Sequence, residues 1–364
     1  MPRKPDRPKP TKPTKQVVVT TVASQSSVPS SDEPASRNFR GQVVQWFAVL
    51  ALLAIQFVLA QNSLRRENPT VDEVAHMPAG VTYWQTHTFK LYPHNPPLIK
   101  LIAAAPVVWA GPETTQLYEQ PSWISSSPSH PTFSQSFARL NIGRYFELFH
   151  SARSVMPIFL ILGGIVVFLW SSRLYGVWGG FLSLALWTFC PNMLAHGRLI
   201  TTDAGATAIG VAATYLFWRY LQNPSWKWAS AAGIALGLAQ LSKFSMLILL
   251  LLWPFLWLVR LLMASPRPEW FFRSITAIGH ALCILTLMIL VIDVGYGFEG
   301  VGRRLGDYEF ACKTLTRPVS PGVARPHSEN RLLQIAWRFR INRFRDTFLA
   351  GLPIPLPRFY VQGF

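Results

Sequence analysis

Long uncharged segments constrain this sequence more than any other feature. No charged residue occurs from Gly41 to Leu64, and the apolar run 42–60 within it corresponds to roughly 28 Å of helix. That length crosses the hydrocarbon core of a bilayer. Half of all residues are hydrophobic and only 14% are charged, which excludes a disordered chain, a coiled coil and a small disulfide-stabilised domain. We therefore predict an all-α polytopic membrane protein.

Further apolar runs predict about seven transmembrane helices. The stretch 228–259 is interrupted only by Lys243. A single helix of that length would measure about 48 Å, which exceeds a bilayer, so we expect a helical hairpin with Lys243 near its bend. The predicted spans are 42–60, 154–172, 174–195, 203–218, two within 228–259, and 274–292.

Charge and proline content predict the domain organisation. Residues 1–40 are proline-rich and basic, which is typical of a disordered cytoplasmic tail. Residues 41–296 form the predicted transmembrane domain, whose first outside loop is 61–153, and residues 297–364 form a predicted extracytoplasmic segment. That segment is also basic, which the positive-inside rule does not explain. The net charge of +17 is expected to face membrane lipids and cytoplasm rather than nucleic acid.

Two adjacent carboxylates, Asp72 and Glu73, follow the first predicted span. A carboxylate at the bilayer face is suited to take a proton from an acceptor hydroxyl. The alternative is structural, because Thr70 and Glu73 have the spacing of a helix capping box. For Glu73 the structural interpretation is favoured, and for Asp72 both interpretations remain open.

Three more residues are candidates for substrate binding: His94, Asp203 and Lys243. His94 precedes two prolines within three residues and belongs either to a plain turn or to a rigid loop over a site. Asp203 is either a helix N-cap or part of the site. Lys243 is either a lysine at a helix end or the cation for a lipid phosphate. The predicted topology brings these residues and Asp72 to one membrane face, which favours a single charged site.

Metal and cofactor sites are not expected. His76 lies one helical turn after Asp72, but two ligands are too few for a metal site. The three cysteines fit neither a disulfide framework nor a zinc site. The motif G-x-G-x-x-G at 295–300 follows a membrane-length run instead of a strand, so a dinucleotide site is not predicted.

Several motifs, in this order, resemble the C-type membrane glycosyltransferases, and in particular the protein O-mannosyltransferase and aminoarabinose transferase type. The resemblance covers roughly residues 41–300. It rests on Asp72-Glu73, the aromatic stretch 80–92, HNPPLIKLIAAAP, ITTDAGATA at 200–208 and GIALGLAQLSKFS at 233–245.

The resemblance implies a sugar donor linked to polyprenyl phosphate and a lipid, glycan or protein acceptor. It implies that Asp72 is the general base and that Glu73 supports it. Asp203 corresponds to the second-loop acid, and Lys243 lies near the lipid phosphate. The implied reaction is an inverting, metal-independent transfer outside the cell (inner) membrane. Similar proteins continue with further spans, so residues 297–364 are expected to be an incomplete segment.

Two alternatives to an active transferase remain. One is a non-enzymatic polyprenyl-lipid-binding or transport protein, and the other is an inactive truncated homologue. A transporter is expected to carry ionisable residues at mid-bilayer, whereas the acidic residues here are predicted to cluster at one face.

Overall fold

The computed structural model describes residues 35–64, 67–125, 129–263, 270–310, 312, 314–318 and 340–363. The predicted tail 1–40 lies outside these residues as far as position 34, and helix α1 begins at Ala35. Contacts divide the chain into two units, Met1–Gln45 and Trp46–Phe364. The packing and the candidate site described below belong to the second unit.

The described chain is almost entirely helical. The α-helices are α1 Ala35–Leu64, α2 Val71–Thr86, α3 Leu98–Trp109, α4 Pro121–Ile124, α5 His130–Leu140, α6 Tyr145–Ser154, α7 Ile158–Thr188, α8 Pro191–His196, α9 Thr202–Gln222, α10 Trp226–Ser242, α11 Ile248–Met263, α12 Trp270–Gly295 and α13 Arg358–Gln362. The described ranges also contain 3₁₀ turns at Thr115–Leu117, Phe244–Leu247, Leu305–Asp307 and Phe348–Gly351. The short strands β1 Thr316–Pro318 and β2 Arg340–Asn342 pair antiparallel, with Arg317 opposite Ile341.

Four described helical segments are long and apolar enough to cross a membrane: Gly41–Asn62, Tyr145–Thr188, Phe244–Met263 and Ile275–Gly295. The fold class is thus confirmed as helical with candidate spans, but the predicted number of seven spans is not confirmed. Helix α3 is apolar yet only 12 residues long, which is too short to span.

Helix α7 folds back on itself. Gly176 has φ 77° and ψ 176°, which is not helical and which favours glycine. The indole N–H of Trp187 donates to the carbonyl of Leu160 at 2.9 Å. The two residues are 27 positions apart, and a straight helix would not allow this contact. The two predicted runs 154–172 and 174–195 therefore correspond to the two arms of this hairpin.

Helices α10 and α12 pack closely and run in the same direction. A Cβ on Gly233 would lie 2.9 Å from the Ile284 backbone, and one on Gly237 would lie 2.6 Å from Val291 Cβ. Such close approach through small residues is typical of helices packed in a membrane. Because α10 and α12 are parallel, both end at the same end of the bundle, where Gly295 meets Leu241.

The hairpin predicted around Lys243 is confirmed. Helix α10 ends at Ser242, Lys243 is extended with φ −160° and ψ 140°, and α11 begins at Ile248 after a 3₁₀ turn. Lys243 therefore lies between two antiparallel helices, at the end of the bundle where α12 also ends.

Candidate active site

Helix α2 begins with the capping box that the sequence predicts. Thr70 is the N-cap, and its backbone N–H donates to the Glu73 carboxylate at 2.8 Å. This contact satisfies one of the backbone donors that a helix N-terminus leaves unpaired. Asp72 and Glu73 occupy the first turn, where the helix dipole favours negative charge.

Glu73 is fully buried and its carboxylate accepts five hydrogen bonds. Oε1 accepts from Arg153 Nε at 2.7 Å and from the Ile200 backbone N–H at 3.0 Å. Oε2 accepts from the Thr70 N–H, from Thr70 Oγ1 at 3.1 Å and from Arg153 Nη2 at 2.6 Å. Burial favours the neutral acid, but the hydrogen bonds from Arg153, Thr70 and Ile200 hold the pKa of Glu73 below its usual value.

We call this cluster of Glu73, Thr70, Arg153 and Ile200 the Glu73 junction. It joins the start of α2 to α6, which carries Arg153, and to the loop that precedes α9, which carries Ile200. The remaining donors of Arg153 go to backbone carbonyls at the end of α1 and in the segment after it, those of Leu64, Glu67 and Asn68. The junction thereby fixes the first turns of α2 and α9 relative to each other.

Asp72 differs from Glu73 in exposure and in hydrogen bonding. Its side chain is exposed, and among the residues that the structure describes it has no hydrogen-bond or ion-pair partner. Its carboxylate is therefore free to accept a proton or to contact a ligand.

Asp203 and Lys243 form an ion pair in which Nζ lies 2.5 Å from Oδ1. Asp203 occupies the first turn of α9, but the N-cap of that helix is Thr201, so the N-cap alternative for Asp203 is wrong. The side chains are 49% and 33% exposed, respectively. Pairs with this exposure contribute at most about 1 kcal/mol, so a ligand can displace one partner at low cost. We call Asp72, Asp203 and Lys243 the acidic rim.

His76 lies one helical turn after Asp72 on α2 and close to the start of α9, which carries Asp203. Its buried ring contacts the Ile200 carbonyl through Nδ1 at 2.7 Å. Burial and the Lys100 charge lower the pKa of His76 to about 4, while the charges of Asp72 and Asp203 oppose that shift. The Ile200 contact, three residues before Asp203, brings the start of α9 to the helix that carries Asp72, and the lowered pKa leaves His76 neutral at physiological pH.

His94 lies in an aromatic cluster next to His76. The Tyr92 ring is 5.6 Å from His94, 5.3 Å from His76 and 4.6 Å from His130. His94 itself is exposed. The segment that carries His94 turns sharply at Tyr92, whose φ is 57°.

Lys100 is the main site residue that the sequence analysis missed. Its ammonium is fully buried and donates to Tyr83 Oη at 2.8 Å and to the carbonyls of Tyr92 at 2.8 Å and Asn95 at 2.6 Å. Burial lowers the pKa of Lys100 well below its usual value. The available signal was its position as the only charged residue in the apolar helix α3, since such residues are functional candidates by default.

The C-terminal part of the described chain covers the same end of the bundle. A Cβ on Gly363 would lie 2.5 Å from the Phe244 ring and from the Pro93 carbonyl. The Tyr360 ring lies 5.5 Å from Phe244, the residue after Lys243. Residues 358–363 therefore flank both the Tyr92 loop and the Lys243 bend.

Within the described ranges, no group of three or more His, Cys, Asp and Glu residues is arranged to hold a metal ion. The G-x-G-x-x-G motif closes α12 in a series of turns, and its Glu299 accepts hydrogen bonds from Thr88 Oγ1 at 2.7 Å and the Phe89 N–H at 3.0 Å. The motif thus ties the end of α12 to the segment after α2.

Comparison with protein families gives one match. The family model of dolichyl-phosphate-mannose-protein mannosyltransferases matches residues 143–292, about two-fifths of the chain. The matched region includes Asp203 and Lys243 but begins after Asp72, Glu73 and His94. Comparison with curated proteins and with solved structures gives no significant match. The family match confirms the resemblance to C-type glycosyltransferases and supports a membrane glycosyltransferase.

Proposed function

We propose that this chain transfers a hexosyl or pentosyl group from a polyprenyl-phosphate donor to a hydroxyl or amine of a lipid, glycan or protein acceptor. The observation that carries the proposal is the acidic rim. The contacts of Glu73 and His76 with Ile200 bring the start of α2, which carries the free carboxylate of Asp72, to the start of α9, which carries the exposed Asp203–Lys243 pair. The family match over residues 143–292 supports the reaction class.

In the proposed reaction Asp72 accepts the proton of the acceptor group. The acceptor atom then forms a bond to the anomeric carbon from the face opposite the phosphate. The bond between that carbon and the phosphate oxygen breaks, and the electron pair leaves with the polyprenyl phosphate, so the product is inverted. The proposed reaction needs no metal ion.

The other candidate residues have separate proposed roles. Lys243 exchanges Asp203 for the donor phosphate and stabilises its growing negative charge. Asp203 and His94 bind the donor and acceptor. Glu73 is a positioning residue, because all five hydrogen bonds on its carboxylate already come from the protein.

We further propose seven spans, in which the first arm of α7 crosses, the second arm crosses together with the segment up to position 195, and α9 and α10 cross as well. Residues 41–296 then form the transmembrane domain, and residues 297–364 lie on the extracytoplasmic side of the inner membrane together with the acidic rim. The proximity of residues 358–363 to the Lys243 bend supports a common side.

The test is a transfer assay with the full chain in proteoliposomes, labelled polyprenyl-phosphate sugars and membrane acceptors. Asp72→Asn is expected to lower the transfer rate by roughly 10²–10⁴-fold, the contribution of a general base. The matched control is Glu119→Gln, which neutralises an exposed carboxylate in the same predicted outer segment and is expected to leave the rate unchanged. Full activity of Asp72→Asn would remove Asp72 from the base role, and absence of any transfer by the native chain would overturn the proposed function.

A further inference from the structure

The end of the bundle opposite the acidic rim is basic and aromatic. Helices α7 and α9 both start near the Glu73 junction and run roughly 27–31 Å before α7 reverses at Gly176 and α9 ends at Gln222. No Asp or Glu occurs in 148–202 or in 204–268. The positive charges at this end therefore have no acidic partner in these segments.

Two of these charges converge on one oxygen. The guanidinium groups of Arg173 and Arg219 both donate to the hydroxyl of Tyr215, the second at 3.3 Å. Tyr215 is buried, whereas Arg173 is exposed and Arg219 is half-buried. A phenol oxygen can accept both hydrogen bonds but supplies no negative charge. Two like charges held this close repel each other unless an anion lies between them.

Aromatic side chains surround this pair and add a donor. The Trp170 ring lies 5.9 Å from Tyr215 and 6.0 Å from Trp218. The indole N–H of Trp170 is buried and has no acceptor in the described part of the chain. Arg219 Cζ also lies 4.1 Å over the Trp228 ring. The cluster of Arg173, Tyr215, Arg219 and Trp170, which we call the arginine cluster, thus offers several donors and has no carboxylate partner among the side chains that the structure describes.

We propose that the arginine cluster binds the phosphate group of an anionic membrane lipid. Guanidinium groups match the geometry of phosphate oxygens, and tryptophan is enriched at the level of lipid headgroups. The ends of helices of this length lie at that level. The site is at the opposite end of α7 and α9 from the acidic rim, so it is separate from the transfer site and does not rest on the proposed function.

The test measures lipid binding by the purified full chain in detergent, using native mass spectrometry and the thermal unfolding midpoint. Phosphatidylglycerol, phosphatidylcholine and inorganic phosphate are added separately. We expect phosphatidylglycerol to bind and to raise the midpoint, and phosphatidylcholine to do neither. Removing one arginine is expected to weaken phosphatidylglycerol binding roughly fivefold.

Arg173→Gln and Arg219→Gln are compared with Arg139→Gln, which removes an exposed cation from α5 and is expected to leave lipid binding unchanged. Trp170→Phe keeps an aromatic side chain but removes the N–H donor, so it tests the cluster even where an arginine variant does not fold. Weaker phosphatidylglycerol binding by this variant supports the proposal. Equal weakening by Arg139→Gln would overturn it. Saturation of the cluster by inorganic phosphate with no preference for phosphatidylglycerol would overturn the lipid as the ligand.

Discussion

The Glu73 junction and the acidic rim begin at neighbouring residues but have opposite physical character. Glu73 is buried and each of its oxygens accepts at least two hydrogen bonds, whereas Asp72 is exposed and without a partner among the described residues. Because successive residues on a helix point about 100° apart, one carboxylate faces the protein and the other faces the site. The difference indicates that precise placement and chemical reactivity are supplied by separate groups.

The largest loss of stability is expected from removing Arg153 from the Glu73 junction. Arg153→Met leaves the Glu73 carboxylate buried without its ion partner, and loss of one member of a buried pair costs about 3–5 kcal/mol. We expect a severe loss of folded protein, measured as a lower thermal midpoint and a smaller monodisperse fraction in detergent. Glu147→Gln breaks the exposed Arg144–Glu147 pair and is expected to cost less than about 1 kcal/mol.

Glu73→Gln distinguishes placement from chemistry at the same position. A stable, fully folded Glu73→Gln protein with no transfer activity would show that Glu73 reacts with substrate, contrary to its role as a positioning residue. Loss of stability together with activity is the expected outcome.

The sequence predicts the local features of the site but not its long-range contacts. The capping box at Thr70 and Glu73 depends only on local spacing and was correctly predicted. The bend at Lys243 was also predictable, because a bilayer limits helix length. The partners of Glu73, however, lie 80 and 127 residues away, and no local pattern indicates such contacts. The acceptors of Lys100 are likewise not readable from the sequence, because they are a hydroxyl and two backbone carbonyls, and only its isolated charge within an apolar run marks it.

The second prediction concerns the cation of the rim. Lys243→Met is expected to lower the transfer rate by about 10²–10³-fold, the usual cost of removing one group that stabilises transition-state charge. Its effect on stability should stay below about 1 kcal/mol, because the Asp203–Lys243 pair is partly exposed. Transfer rates and thermal midpoints are measured on the same preparations.

The double variant Asp203→Asn/Lys243→Met supplies the control. If the pair only stabilises the fold, removing both charges should restore much of the activity that the single variants lose. If the residues bind substrate, as proposed, the double variant stays inactive.

The third prediction concerns His76, which lies between the Glu73 junction and the acidic rim, and its effect on the pH dependence of stability. The pKa of His76 is lowered to about 4 in the folded protein, while an unfolded histidine titrates near 6.5. Since only the unfolded state gains a proton between these values, the stabilising contribution is present above about pH 6.5 and is lost as the pH falls towards 4. Between pH 6.5 and 5 the loss amounts to about 1.5 kcal/mol. Thermal midpoints should fall over this range and should fall less in His76→Asn; an identical slope in the variant would contradict the prediction.

The smallest change in stability is expected for Asp72→Asn. Asp72→Asn removes one exposed charge from the first turn of α2, so the helix loses a favourable dipole interaction of about 0.3–1 kcal/mol and nothing else. The thermal midpoint should therefore stay close to that of the native protein while transfer activity disappears. This combination is the reverse of the one expected at Arg153, where activity is lost because the fold is lost. A large destabilisation by Asp72→Asn would mean that Asp72 shares the structural role of Glu73, and the division between junction and rim would then no longer hold.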